Sequence, residues 1–137
     1  MKNKVIVIGV GRLGASIATE SSEEGADVIV VDKNPLSFNR LPPTFSGYQI
    51  AGDILNVEVL ENVNFKNAKE VVITTDDDNL NILIAHICLY KYDFPEIYIR
   101  LDDVNKAQLV DDLRVNAIYP FTLSVNDYRR HKEERND

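Results

Sequence analysis

Short runs of apolar, mostly β-branched residues recur along the chain and predict strands that are buried on both faces. Residues 5–8 and 28–31 are apolar at every position, and residues 71–73 repeat the pattern. A strand without a polar face is typical of a parallel sheet covered by helices on both sides. Weaker runs at residues 48–50, 97–99 and 117–119 bring the number of predicted strands to six.

Helical spacing of apolar residues fills most segments between these strands. Four segments carry it: Leu13, Ile17 and Ala18; Leu55, Val59 and Leu60; residues 80–89; and Val104, Leu109, Val110 and Leu113. In residues 34–45, Pro35 can open a helix that Pro42 and Pro43 must end, so we expect a short, irregular crossover. The alternation predicts an α/β, Rossmann-like, doubly wound sheet of six parallel strands in three layers. The charged residues 129–137 are expected to fray.

Size and charge narrow the class of protein. The chain has 137 residues, the length of one domain, and 15 basic against 22 acidic side chains give a net charge of −7. This balance disfavours binding to nucleic acid or to anionic membrane surfaces.

Residues 5–10, the longest apolar stretch, are far shorter than the roughly 20 residues of a membrane span. Cys88 is the only cysteine, which excludes an intrachain disulfide and a thiolate zinc cluster. We therefore expect a cytoplasmic protein that does not insert into a membrane.

The strongest chemical signal is a glycine motif at the end of the first predicted strand. The sequence Gly9-Val10-Gly11-Arg12-Leu13-Gly14 is a G-x-G-x-x-G. Gly9 allows a tight turn, Gly11 leaves room for a pyrophosphate at the backbone, and Gly14 lets the next helix pack closely. The N–H groups at that helix start attract phosphate. The alternative is a glycine turn that serves packing alone.

An acidic residue stands where a ribose-binding carboxylate is expected. Asp32 ends the second predicted strand, 23 positions after Gly9. A carboxylate there accepts hydrogen bonds from ribose hydroxyls and repels a 2′-phosphate, which disfavours NADP. It does not separate NAD from ATP, ADP or AMP. Arg12 can reach a phosphate, or it can be a solvated residue of the first helical turn.

Acidic residues also follow the third and fourth predicted strands. Asp53 can face an adenine or its ribose, because strand ends line the ligand crevice in this architecture, and it can also cap the helix that follows. Residues 74–78, Thr-Thr-Asp-Asp-Asp, end the fourth strand. One of these aspartates is expected to cap the next helix. The alternative is that the three acids hold a hard cation.

The helix predicted at residues 79–89 is apolar around its whole circumference. Only Asn81 and His86 interrupt its apolar residues. A helix of this kind is buried on all sides, and the sheet covers only one of them. We therefore expect a second copy of the chain on the other side, giving a homodimer. Cys88 is interpreted as a core residue, and His86 as a surface or interface group.

Taken together, these motifs resemble the N-terminal lobe of an RCK domain, also called the KTN or Trk-type potassium-uptake regulatory domain. The residues that carry the resemblance lie in order over nearly the whole chain: residues 9–14, 30–32, 52–53, 74–81, 99–100 and 117–120. The resemblance implies a cytoplasmic sensor that binds NAD(H) or adenine nucleotides and forms dimers or rings. Through its shape, such a sensor gates a membrane potassium channel or transporter.

The resemblance also implies roles for individual residues. Residues 9–14 would cradle phosphates, Asp32 would hold the ribose, and Asp53 with Ile54 would line the adenine side. Lys33 would belong to the same cofactor-binding set. The crevice wall would include Thr74, Thr75 and Asp76. Arg100 would reach the phosphates or the partner chain.

The end of the chain fits the same family, with two departures. Residues 1–120 correspond to the nucleotide-binding lobe, and residues 121–137 to a crossover helix and charged tail that would pack on the dimer mate through Phe121, Val125 and Tyr128. Pro42-Pro43 stands where the family usually has a longer helix. The 137 residues reach only the crossover helix, whereas many relatives continue into a second ligand-binding lobe.

Two other functions compete with this interpretation. Tyr128 and Lys132 are spaced like the Tyr-x-x-x-Lys pair of short-chain dehydrogenases, which would indicate an NAD-dependent oxidoreductase or a fragment of one. They lie in the charged tail, however, and neither His86 nor His131 has an evident catalytic setting. The other rival is a nucleotide-binding module of a transcriptional redox sensor, which would normally carry a DNA-binding domain. We expect a protein that is not an enzyme.

Overall fold

The structure, a computed structural model, is built around one parallel sheet. It describes residues 3–92 and 96–136, so that residues 1, 2 and 93–95 of the predicted lobe lie outside it. The strands are β1 Lys4–Ile8, β2 Asp27–Asp32, β3 Tyr48–Ala51, β4 Glu70–Ile73, β5 Glu96–Arg100 and β6 Asn116–Ile118. All six predicted strands are present, within two residues of the predicted bounds.

Strand order shows that the sheet is doubly wound. The order is β3-β2-β1-β4-β5-β6, and every neighbouring pair is parallel. Ile8, at the end of β1, is in register with Val31 of β2 and Ile73 of β4. The chain winds outward in one direction from β1 to β3 and in the other from β4 to β6. The reversal between β1 and β4 opens a crevice at the carboxyl ends of these strands.

The absence of a polar face on β1 is explained by two apolar cores. Val5 and Val7 belong to one core, together with Ala15 and Ala18 of helix α1 Arg12–Glu23. The neighbouring residues of β1, Ile6 and Ile8, belong to the other core, together with buried residues of helix α3 Asp78–Lys91. Since successive side chains of a strand point to opposite faces, the sheet is covered on both sides. The three-layer prediction is confirmed.

Two connections differ in how well the sequence predicted them. Residues 34–45 form the expected short crossover, a 3₁₀ helix Pro35–Arg40 whose first turn is capped by Asn34. The fourth predicted helix is wrong, because Val104–Leu109 is a 3₁₀ helix followed by turns. Val104 and Leu109 are more than half exposed, and only Val110 of that group is buried. The four apolar residues therefore share no buried face that would stabilise an α-helix.

Helix α4 Pro120–Asn136 follows β6 and buries none of its side chains. It contains residues 129–136, so the prediction that this segment frays is wrong; Asp137 lies outside the described residues. Arg130 pairs with Asp127 and Glu134 at helical spacings of three and four, which stabilises an exposed helix. Within residues 3–92 and 96–136, the structure contains no helix with the length and apolarity needed to cross a bilayer.

Candidate functional site

A crevice of about 610 Å³ lies at the carboxyl end of the sheet, where the strand order reverses. It receives residues from the ends of five strands, β1 to β5. The predicted site residues that line it are Gly9, Gly11, Asp32, Lys33, Asp53, Ile54, Thr74, Thr75, Asp76 and Arg100. The fold thus brings together ten of the fourteen positions that the sequence predicted.

Two glycines of the motif after β1, Gly9 in the turn and Gly14 in α1, are required by close packing. Gly9 has a φ of +93°, and a Cβ there would lie 2.7 Å from the Thr74 backbone. At Gly14 a Cβ would lie 1.9 Å from the Gly9 carbonyl oxygen. Since both separations are far below van der Waals contact, no side chain fits at either position. The predicted tight turn and close helix packing are confirmed.

Gly11 differs from both, because open space faces it. A Cβ at Gly11 would meet nothing within 4 Å, and its φ of −78° and ψ of −163° are accessible to any residue. Gly11 is the N-cap of α1, no side chain caps that helix start, and its first turn carries no acidic residue. The N–H groups at this end bear a partial positive charge that favours an anion. The bare Cα of Gly11 lets such an anion approach the backbone.

Asp32 fastens the glycine loop to the end of β2. Its Oδ2 accepts the N–H of Val10 at 2.7 Å, and its Oδ1 accepts the N–H of Asn34 at 2.8 Å. Each carboxylate oxygen can accept more than one hydrogen bond, so both can also receive a ribose hydroxyl. The carboxylate therefore orders the loop by the same atoms that would bind a ligand.

The next strand end, after β3, forms the far side of the crevice. Asp53 follows β3, and its Oδ2 lies 3.9 Å from Nζ of Lys33, which follows β2. Ile54 is buried in the wall of the crevice. Asp53 Oδ1 accepts the N–H of Leu55 at 2.9 Å. The prediction that Asp53 caps the next helix is wrong: helix α2 Val57–Val63 is capped by Asn56, which accepts the Glu58 N–H.

The end of β4 is fixed by hydrogen bonds around a buried asparagine. Thr74 donates its hydroxyl to the Gly9 carbonyl at 2.9 Å, which joins β4 to the glycine loop. Asn81 is fully buried; it accepts the backbone N–H of Thr75 at 3.2 Å and donates to the Arg100 carbonyl at 2.9 Å. The ends of β4 and β5 are therefore held at a fixed separation.

The three aspartates after β4 have different surroundings. Asp77 is the N-cap of α3 and accepts the N–H groups of Asn79 and Leu80, as the sequence predicted for one of the three. Asp78 is buried and accepts two backbone N–H groups after β5, each at 2.8 Å. Asp76 is exposed at the crevice. Since two carboxylates are engaged by backbone N–H groups, and the described residues contain no cluster of potential metal ligands, the cation alternative loses its support.

Four predicted positions do not line the crevice. Val10 and Gly14 are buried behind the loop, and Leu13 is half-buried on α1. Arg12 faces an outer groove between α1 and the 3₁₀ helix Pro35–Arg40. Arg12 is therefore placed beside the helix start rather than within the crevice.

Sequence reasoning missed Ser37 and Arg40, which also line the crevice. Both belong to the short 3₁₀ helix after β2, and Arg40 Nη1 donates to the Val10 carbonyl at 3.4 Å. The only signal available was the position of this crossover after Asp32. Because the two prolines make the crossover irregular, the orientation of its side chains could not be predicted.

Comparisons with known proteins identify the family. The TrkA-N domain model matches residues 5–120. The Trk system potassium uptake protein TrkA homolog of Pyrococcus horikoshii is 32% identical over 126 residues, which are 90% of this chain and 54% of the relative. The chain spans about half the length of these curated relatives, which include TrkA of Streptomyces coelicolor and the homolog of Pyrococcus abyssi.

Solved structures have the same fold at low sequence identity. The GsuK channel bound to NAD superposes with a TM-score of 0.80 at 19% identity, over 96% of this chain and 24% of that one. The TrkA-N domain of inner membrane protein YbaL from Escherichia coli gives a TM-score of 0.80 at 14% identity, over 95% of this chain and 96% of that one. Because the TrkA-N domain model matches residues 5–120, the chain belongs to the TrkA-N domain family.

Proposed function

We propose that the crevice binds an adenosine nucleotide, NAD(H) or ATP, ADP or AMP. The observation that carries the proposal is the open space above Gly11 at an uncapped helix start, directly beside the Asp32 carboxylate. A phosphate placed there accepts hydrogen bonds from the N–H groups at the helix start. A ribose hydroxyl next to it can donate to the Asp32 carboxylate. Lys33, Arg40 and Arg100 supply positive charge from three different elements.

Structures of relatives with the same fold support this choice of ligand. They include GsuK bound to NAD and to ADP, and a Kef C-terminal domain from Shewanella denitrificans in an AMP-bound form. These ligands share an adenosine with an unmodified ribose. Asp32, whose carboxylate would repel a 2′-phosphate, fits that shared group and disfavours NADP.

A thermal-shift panel tests the proposal. NAD, NADH, ATP, ADP and AMP are compared with NADPH and with adenosine, which lacks a phosphate. A ligand at 100 times its Kd stabilises the folded state by about 2.7 kcal/mol, which raises the melting midpoint by roughly 8 °C in a domain of this size. We expect a shift with at least one unmodified nucleotide and little with adenosine. A folded protein that none of these compounds stabilises would contradict the assignment.

We further propose that the domain is a regulatory subunit of a Trk- or Ktr-type potassium uptake system, positioned on the cytoplasmic side of its membrane partner. The curated relatives are potassium uptake proteins of these systems, which supports the proposal. A nucleotide that prefers one arrangement of the subunits would shift the population toward it, and the transporter would respond to that arrangement. Co-purification with a Trk-type membrane subunit, with and without ADP, tests this step.

The subunits would assemble as a homodimer, alone or as a unit of a larger ring, through α3 and residues 121–137. Leu83 and Tyr90 of α3 are 46% and 89% exposed, although the helix is apolar around its circumference. Phe121, Val125 and Tyr128 form a second exposed stripe on α4. We expect Leu83→Glu to give monomers in light scattering, while Leu36→Glu, at an exposed apolar position of the 3₁₀ helix on the other side of the sheet, leaves the dimer intact. A Leu83→Glu protein that remains dimeric would refute this interface.

We propose a binding role rather than catalysis. Tyr128 and Lys132, the pair that resembles a dehydrogenase motif, lie on exposed turns of α4, and neither lines the crevice. General acid–base chemistry requires a group placed against the substrate. Incubation with NADH and carbonyl substrates should therefore give no turnover, and measurable oxidation of NADH would favour the oxidoreductase alternative.

A further inference from the structure

Arg100 meets three different surroundings at once. Its Nε and Nη2 donate to the two carboxylate oxygens of Asp102, at 2.7 and 3.1 Å. The guanidinium carbon lies 5.7 Å from the centroid of the Phe121 ring. The same side chain lines the crevice and is only 17% exposed. Arg100 therefore connects the crevice, the loop after β5 and helix α4.

The shape of the guanidinium group allows all three contacts to coexist. The group is planar and carries five N–H donors. Asp102 occupies the edge formed by Nε and Nη2, and the Phe121 ring lies beside the guanidinium carbon, 5.7 Å from it at the centroid. Nη1 makes no hydrogen bond to the described residues, so this end of the plane can donate to an anionic group in the crevice. Such a group would share the guanidinium with Asp102 and Phe121 without displacing either.

Phe121 belongs to a helix that is attached to the domain by little packing. It lies in the first turn of α4, and α4 buries none of its side chains. The ring of Phe121 is itself 55% exposed. The contact with Arg100 therefore joins this end of the helix to the crevice.

We propose that Phe121 is a positioning residue for the crevice: its ring holds the plane of Arg100 in the orientation that an anionic ligand group requires. The inference rests on the proposed nucleotide site. Coupling between two sites is reciprocal in binding free energy. A nucleotide that fixes Arg100 therefore restrains Phe121 and the first turn of α4 in return, which links occupancy of the crevice to the helix proposed to meet the partner chain.

A double-mutant cycle on the full chain separates this role from a role in dimer contact alone. Calorimetry with ADP compares wild type, Phe121→Leu, Arg100→Gln and the double variant. A cation–π contact at such a site corresponds to about a two- to fivefold change in affinity, so Phe121→Leu should weaken ADP binding by that factor. Phe121→Tyr keeps the ring and should retain wild-type affinity.

The decisive comparison is the Arg100→Gln background. If Phe121 acts through Arg100, Phe121→Leu has no further effect once the guanidinium is gone. An undiminished loss in that background, or no loss in the single variant, overturns the inference. If Arg100→Gln does not fold, Arg100→Lys takes its place, since lysine keeps the charge but lacks the plane.

Hydrogen exchange supplies an independent measurement that distinguishes the two proposals. ADP should slow exchange in the glycine loop, residues 9–15, and also at residues 120–125 of wild type. In Phe121→Leu only the loop should remain slowed. If the loop is protected and residues 120–125 of wild type are not, the coupling is refuted while nucleotide binding stands. If the loop is unprotected at saturating ADP, and equally at saturating NAD, NADH, ATP and AMP, the proposed site fails, and the coupling fails with it.

Discussion

The three glycines of the motif after β1 should respond differently to the same added methyl group. At Gly14 the methyl carbon would lie 1.9 Å from the Gly9 carbonyl oxygen, and at Gly9 it would lie 2.7 Å from the Thr74 backbone. At Gly11 it would enter open space. We therefore expect Gly9→Ala and Gly14→Ala to lose stability, and Gly11→Ala to keep the fold and lose nucleotide affinity.

The magnitudes follow from competing effects at each position. At Gly14 alanine gains about 1 kcal/mol of helix propensity, but crowding costs about 1–3 kcal/mol, and more where backbone must move, as here. A net loss of about 2 kcal/mol would lower the melting midpoint by roughly 6 °C. Gly9→Ala combines similar crowding with about 1–2 kcal/mol for its positive φ. At Gly11, replacement of an N-cap glycine costs less than about 1 kcal/mol.

The assay is thermal unfolding with and without ADP. If the methyl group at Gly11 weakens ADP binding about tenfold, stabilisation at a concentration of 100 wild-type Kd falls from about 2.7 to about 1.4 kcal/mol. Gly25→Ala is the matched control, because Gly25 has a φ of +94° but nothing within 4 Å of an added Cβ. It should lose about 1–2 kcal/mol from backbone strain alone and keep the full ADP shift.

Two results would refute this reasoning. A Gly14→Ala protein that melts within a degree of wild type would show that the helix is not packed against the loop. A Gly11→Ala protein that ADP stabilises as strongly as wild type would show that the ligand does not approach the backbone there.

Three further predictions concern two buried groups and one half-buried group. Burial raises the pKa of the Cys88 thiol to about 12, so the native protein should resist iodoacetamide at pH 8 and react once denatured; rapid native labelling would contradict the burial. Burial, followed by the nearby charges of Glu96 and Glu24, raises the pKa of Glu70 above its ordinary value of 4.5. The charged carboxylate therefore lowers the stability of the folded state at neutral pH. This destabilisation disappears as the pH falls to 4.5 and the carboxylate is protonated. Glu70→Gln should accordingly raise the melting midpoint at pH 7 but not near pH 4, and an equal gain at both would exclude titration as the cause. Asn81→Leu leaves buried backbone groups unpaired, at about 1–3 kcal/mol each, and should lower the urea midpoint far more than Asn79→Leu does at an exposed position of α3.

The sheet could be predicted from the sequence because its signal is local. Residues 5–8 and 28–31 have no polar face, and only a strand covered on both sides tolerates that pattern. The glycine loop was equally local, since its spacing encodes the turn, the open backbone and the close helix. By contrast, Val104 and Leu109 are five positions apart and do not share a buried face. The helix prediction there was wrong because it relied on their apolar character alone.

The remaining parts of the candidate site depend on contacts between distant residues. Asn81 is one of only two polar interruptions in residues 80–89, and only the fold shows that it joins Thr75 to the Arg100 carbonyl. Arg40 reaches the Val10 carbonyl across thirty positions, from a crossover with no regular pattern. The charged segment after residue 128 was expected to fray because its helical ion pairs are visible only as a spacing of charges.

The double engagement of Asp32 limits how this site can change. Its two oxygens already accept the N–H groups of Val10 and Asn34. An asparagine at position 32 would keep one of these bonds and present an amide donor to the other N–H. Replacing Asp32 to accommodate a phosphorylated ribose, by design or in evolution, would therefore disturb the loop itself. A second substitution would have to supply a new acceptor for the unpaired N–H group. Selectivity for the sugar and the order of the surrounding backbone therefore depend on the same two oxygen atoms and cannot change independently.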